Sequence, residues 1–187
     1  MLPLGTPMPA FALEDAVSGR TVSPADFADA SALLVMFICN HCPYVQHVLP
    51  ELAGLEQSYR PRGLALLAVN ANDIEAYPAD APPEMARLAR QEGWGFPFLF
   101  DREQDVARAF RAACTPDFFL FDRGRRLAYR GQLDDSRPGN GVPVTGRDLR
   151  GAIEAVLTGR PAPAEQRPSI GCSIKWKRGR TPAWFAQ

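Results

Sequence analysis

The chain has 187 residues, 21 basic side chains balanced by 21 acidic ones, and four cysteines. A length of this order suits one domain that buries roughly 70% of its unfolded surface, so four cysteines point to catalysis or metal binding rather than to a disulfide framework. The balanced charge and the short basic run Lys175–Arg180 argue against a nucleic-acid partner, and the longest apolar stretch falls far below the ~18 residues of a membrane span.

The first seven residues lack the basic and apolar regions of a secretory signal, so the expected setting is the cytoplasm, with no membrane partner. Phe11–Glu14 and Arg20–Ser23 flank Gly19 and read as an N-terminal hairpin. Ser23 caps a helical turn with Pro24 in its first position. Residues 32–38 form a continuous apolar strand buried on both faces. A helix follows from about Asn40 to Tyr59, with Val45, Val48, Leu49, Leu52 and Leu55 on one side and Pro50 expected to kink it. Leu64–Val69 is a second buried strand and ends in the polar corner Asn70–Asp73.

Pro82 and Pro83 open a helix through Glu92. Phe96–Phe100 is a short extended piece, and Arg102–Arg111 a further helix. Phe118–Phe121 and Leu127–Arg130 pair as a hairpin around Asp122–Arg125. The loop from Asp134 to Thr145 leads to an amphipathic helix from Gly146 to Leu157. This order implies an α/β fold with a mixed central β-sheet flanked by helices on both faces, an N-terminal hairpin and a C-terminal tail. The expected division is a domain over residues 1–160 and an extension over 161–187 packed on it. Phe96, Phe98, Phe118 and Phe121 are expected in the core.

The chemistry concentrates in Cys39-Asn40-His41-Cys42-Pro43, between the first apolar strand and its helix. Placed at a helix N-terminus, Cys39 meets unpaired N–H groups and the positive end of the dipole, which can bring a thiol pKa from ~8.5 to roughly 3.5–7.5. Cys42, one helical turn later, lies within bonding reach, the arrangement of a reversible disulfide. Cys39 is the expected attacking thiol and Cys42 the resolving one. His41 is the candidate tuner of the couple, Asn40 shapes the turn, and His47 reads as an ordinary helix residue.

Three features outside that motif are accessory candidates. Cys114 reads as a small buried hydrophobe with a possible place at the rim of the site. Cys172 lies in the alternating stretch Ser169–Ile174, a short strand or strap that either brings a third redox thiol to Cys39 or docks the tail through Ile170, Ile174 and Trp176. Asn72, in the polar corner, either positions substrate or caps the next turn.

A strand, a Cys-x-x-Cys at the head of a kinked helix, and Thr115-Pro116 entering a hairpin resemble the thioredoxin fold over residues 10–158. Cys39–Val45, Asn70–Asp73, Cys114–Phe119 and Ser169–Lys177 together resemble its peroxiredoxin-like branch, the redoxins of alkyl hydroperoxide reductase/thiol-specific antioxidant type. The resemblance implies a cis Thr115-Pro116 peptide beside the redox pair, forming the wall against which substrate docks. It also has gaps. The Pro and Thr that peroxiredoxins place before their reactive cysteine are Ala32 and Met36 here, and their later Arg falls at Pro116. The buried Asp that thioredoxins carry six residues before the first cysteine is Leu33.

The expected activity is therefore thiol–disulfide exchange through Cys39, Cys42, His41, Thr115 and Pro116. Its substrate is a disulfide-bearing protein or a small thiol, its partner a thiol reductant or reductase, and it uses no cofactor or metal. Two alternatives stand beside it: a thiol peroxidase acting through Cys39, and a non-enzyme module that binds metal or senses redox state through Cys39 and Cys42.

Overall fold

The computed structural model describes residues 2–186. At its centre is β3 (Ala32–Phe37), buried at every position. It pairs in parallel with β4 (Leu64–Asn70) and antiparallel with β7 (Asp117–Phe121). Beyond β4 lies β5 (Phe98–Phe100), then the N-terminal hairpin of β1 (Leu13–Asp15) and β2 (Thr21–Val22). Beyond β7 lies β8 (Leu127–Gly131), giving the mixed order β2-β1-β5-β4-β3-β7-β8.

Alternation along β3 divides the core in two, because successive strand residues face opposite sides of a sheet. Leu34 and Met36 join the side chains of α1 (Pro43–Tyr59), α2 (Pro82–Gln91) and α4 (Arg147–Leu157). Leu33, Val35 and Phe37 join Val106, Ala107 and Phe110 of α3 (Asp105–Phe110). Helices thus cover both faces, and Phe96, Phe98, Phe118 and Phe121 are buried. Pro50 lies inside α1.

The sequence expectation differs from the structure at the start of α1. The helix begins at Pro43 with Cys42 as its N-cap, and residues 39–42 are not helical. Proline at the first helical position needs no N–H partner and already has a helical φ, which sets the boundary there rather than at Asn40.

The last segment closes two edges. Gln132 N donates to Arg167 O at 3.0 Å and Ser169 Oγ to Gly131 O at 2.6 Å, so residues 166–169 run along the outer edge of β8. Gly131 allows this approach, since a Cβ there would overlap the Arg167 carbonyl. A separate two-stranded ladder pairs β6 (Cys114–Thr115) antiparallel with β9 (Cys172–Ser173). Ile174 is buried and Trp176 partly so, whereas Ile170 stays 58% exposed and does not dock the tail. Among the described residues, no helix is long and apolar enough to cross a membrane.

Candidate active site

The end of β3 delivers Cys39 to the sheet edge, and the N-cap of α1 holds Cys42 beside it. Both thiols are free, at 1% and 0% exposure. The Thr115-Pro116 peptide is cis and places Thr115 against both sulfurs. Cys39 Sγ lies 3.4 Å from Thr115 Oγ1, and the Cys42 thiol donates to the Thr115 carbonyl at 3.2 Å. Pro116 is buried directly after it.

The two thiols titrate as a pair. Their mutual hydrogen bond pushes Cys39 far above the usual thiol value, with burial and the Asp80 charge adding to it. The same contact draws Cys42 down, helped by Cys172, Thr115 and the Val45 N–H, against the cost of burial. Because α1 starts at Pro43, the helix N-terminus expected at Cys39 lies at Cys42 instead. When Cys39 is the ionised member, the Thr115 hydroxyl can donate to it while the Thr115 carbonyl accepts from Cys42.

The loop between the cysteines rests on a residue that the sequence did not single out. Asp80 is fully buried at the end of the short 3-10 turn Pro78–Asp80. Its Oδ1 accepts from Asn40 N at 2.8 Å and His41 N at 3.2 Å. Its Oδ2 accepts from His41 Nδ1 at 2.6 Å and Asn72 Nδ2 at 2.8 Å. A carboxylate contact of this kind fixes the ring orientation and tautomer of a histidine. The imidazole is also stacked on Tyr77, with centroids 5.3 Å apart and planes 10° from parallel. The available signal was a lone acid in the Tyr77–Asp80 turn ahead of Pro82-Pro83; nothing local ties it to residues 39–42.

Asn72 is the second link. Its N–H donates to Asn70 Oδ1 at 3.0 Å, and its Oδ1 accepts from Lys175 N at 2.9 Å, tying the tail to the Asp80 network. Asn40 contributes its backbone N–H, while both polar atoms of its side chain are buried with no hydrogen-bond partner among the described residues. His47 lies outside the site and contacts Ser136 Oγ at 2.7 Å, holding the loop before α4.

Cys172 comes to the pair and Cys114 does not. Cys172, half-buried, packs on the core cluster that contains Cys39 and Cys42. Cys114 precedes Thr115 on β6, so its side chain faces the other way. It lines a small cavity with Leu2, Ala113, Asp117, Phe119 and Arg130, and burial pushes its pKa up.

Cys39 Sγ, His41 and Asp80 have ligand atoms within 4.8 Å of one another. Both Asp80 oxygens already accept two N–H groups each. A cation there would have to displace the Asn40, His41 and Asn72 donors that hold the loop.

Comparison with known proteins agrees with this architecture. Residues 4–130 match the model of a family described as the AhpC/TSA family. A structure from Geobacillus kaustophilus, titled an uncharacterized conserved protein, is 52% identical, covers 96% of this chain and 95% of its own, and superposes with a TM-score of 0.93. A thiol:disulfide interchange protein of the thioredoxin family from Chlorobium tepidum TLS is 17% identical over 84% of this chain and 99% of its own, with a TM-score of 0.63, which shows a shared thioredoxin-like fold. The thiol-disulfide oxidoreductase ResA of Geobacillus thermodenitrificans is 25% identical over 124 residues, 66% of each chain. The chain thus spans just under two thirds of that relative's length.

Proposed function

From the premise that this chain belongs to the AhpC/TSA family, we propose that it is a thiol–disulfide oxidoreductase in which Cys39 and Cys42 alternate between dithiol and disulfide. The observation that carries this reading is the pair itself: two buried thiols held against Thr115, Cys39 at its hydroxyl and Cys42 at its carbonyl.

Cys39 Sγ passes its proton to Cys42 and, supported by the Thr115 hydroxyl, attacks one sulfur of a substrate disulfide, and the other substrate sulfur leaves as a thiolate. Cys42 then attacks Cys39 Sγ, releasing the second substrate thiolate and closing the Cys39–Cys42 disulfide. The substrate gains two electrons and the pair loses two. A thiol reductant or reductase returns the pair to the dithiol. His41 and Asp80 hold the intervening loop so that the two sulfurs stay in reach. The cytoplasmic setting is part of this proposal and is open to cell fractionation.

The test is reduction of a disulfide-bonded protein such as insulin with dithiothreitol as donor. Wild-type protein accelerates it and Cys39→Ser does not; equal rates would overturn the reading. Running hydrogen peroxide in place of insulin separates the peroxidase alternative, which Ala32, Met36 and Pro116 leave without its usual peroxide-activating groups. Near-stoichiometric zinc or copper in protein purified without chelator would favour the metal-binding module instead.

A further inference from the structure

The ladder of β6 and β9 sets Cys172 directly opposite Thr115. Opposed residues of an antiparallel pair carry their side chains on one face, with Cβ atoms about 4.5–5.5 Å apart. The Cys172 thiol is therefore delivered to the side of β6 on which Thr115 Oγ1 meets Cys39 Sγ. Cys172 packs on the cluster that contains Cys39 and Cys42, and burial followed by the influence of Cys42 pushes its thiol up to about 11. The main chain is built for this approach: a Cβ on Gly171 would overlap the Thr115 carbonyl.

The strap is also pinned in place. Ile174 N donates to Ala113 O at 3.1 Å, Asp73 N to Lys175 O at 2.8 Å, and Lys175 N to Asn72 Oδ1 at 2.9 Å. Gln104 Nε2 donates to Lys175 O at 3.0 Å. A free strand edge is where an extended peptide adds through main-chain hydrogen bonds, and on β6 that edge is taken by β9. Cys39 and Cys42 are buried, while Cys172 remains half-buried at the surface. An approaching reductant meets Cys172 first.

We propose that Cys172 is a third redox thiol that exchanges with Cys42 and carries the disulfide from the buried pair to the surface, where an external thiol reduces it. This rests on the thiol–disulfide reading above. Starting from the Cys39–Cys42 disulfide, Cys172 Sγ attacks Cys42 Sγ. The Cys42–Cys172 bond forms, the Cys39–Cys42 bond breaks, and Cys39 Sγ leaves and takes up the proton that Cys172 gives up. One disulfide is exchanged for another, so no outside oxidant enters this step. An external thiol then attacks Cys172 Sγ and frees Cys42, and a second external thiol resolves the mixed disulfide. Those two thiols supply the two electrons and leave as their own disulfide.

The experiment is graded oxidation of the wild-type protein with diamide, alkylation of the remaining thiols, and mass mapping of bridged peptides. Wild type is expected to hold both Cys39–Cys42 and Cys42–Cys172 bridges, and Cys39→Ser an intramolecular Cys42–Cys172 bridge. Reduction of the oxidised Cys172→Ser variant by glutathione is expected to be slower than wild type by about tenfold or more, because only the buried sulfurs remain to be attacked. Absence of any Cys42–Cys172 bridge in wild type overturns the relay, as does a Cys172→Ser variant that is reduced as fast as wild type. A wild type that forms no Cys39–Cys42 bridge at all instead overturns the thiol–disulfide reading beneath it.

Discussion

His41 Nδ1 donates to Asp80 Oδ2 at 2.6 Å, joining the middle of the Cys-x-x-Cys loop to a buried carboxylate 39 positions further along the chain. The charge of Asp80 acts on the site as well as its geometry. Cys39 is raised first by its contact with Cys42 and by burial, and then by Asp80. Asp80→Asn keeps one oxygen but puts an NH2 group where the other accepts from His41 and Asn72. A stability loss of about 1–3 kcal/mol is expected in urea denaturation, the range for unpaired buried polar groups. The thiolate absorbance of the cysteine pair should also rise at lower pH than in wild type. An unshifted titration would separate Asp80 from the thiols.

Thr115 supplies a hydroxyl to Cys39 and a carbonyl to Cys42. Thr115→Val keeps the β-branched shape that suits a strand and removes only the hydroxyl. The ionisation of the pair should move to higher pH, and disulfide exchange at neutral pH should slow by about two- to tenfold, the equivalent of roughly 0.5–1.5 kcal/mol for one hydrogen bond. Stopped-flow reaction with a chromogenic disulfide reads this directly, and an unchanged rate would make the hydroxyl a bystander.

Asp117 follows the cis peptide, and burial pushes its carboxyl up to about 7. Its folded pKa thus lies above the unfolded one, so the neutral acid is the form the fold accepts. The resulting stability is complete below about pH 4 and is lost as pH rises through about 7. Three pKa units set an upper bound of about 4 kcal/mol on that loss. Asp117→Asn should lack this slope, and the difference in urea midpoint between variant and wild type should grow in the variant's favour from pH 4 to pH 8. Parallel curves would contradict it.

The elements whose signal is local were legible in the sequence. An unbroken apolar run marks β3 as central, helical spacing from Val45 to Leu55 marks the buried face of α1, and the Cys-x-x-Cys spacing marks the thiol pair. The helix start was displaced to Asn40 although Pro43, a residue suited to the first helical position, pointed to the actual boundary. That displacement put the helix N-terminus at Cys39 rather than at Cys42. Asp80 was not legible because its partners are brought to it by the sheet and not by spacing. The β6–β9 ladder has two residues on each strand, too few for alternation to reveal register. Cys172 was therefore recognisable as a candidate, while its position opposite Thr115 was not.

The most direct test of the central claim is equilibration of the reduced protein in dithiothreitol or glutathione redox buffers, with peptide mapping of the disulfides at each potential. The expected result is a single two-electron transition, tenfold per ~30 mV, that creates an internal disulfide containing Cys42 and includes the Cys39–Cys42 bridge. A chain whose Cys39 and Cys42 stay reduced across the whole range would contradict it.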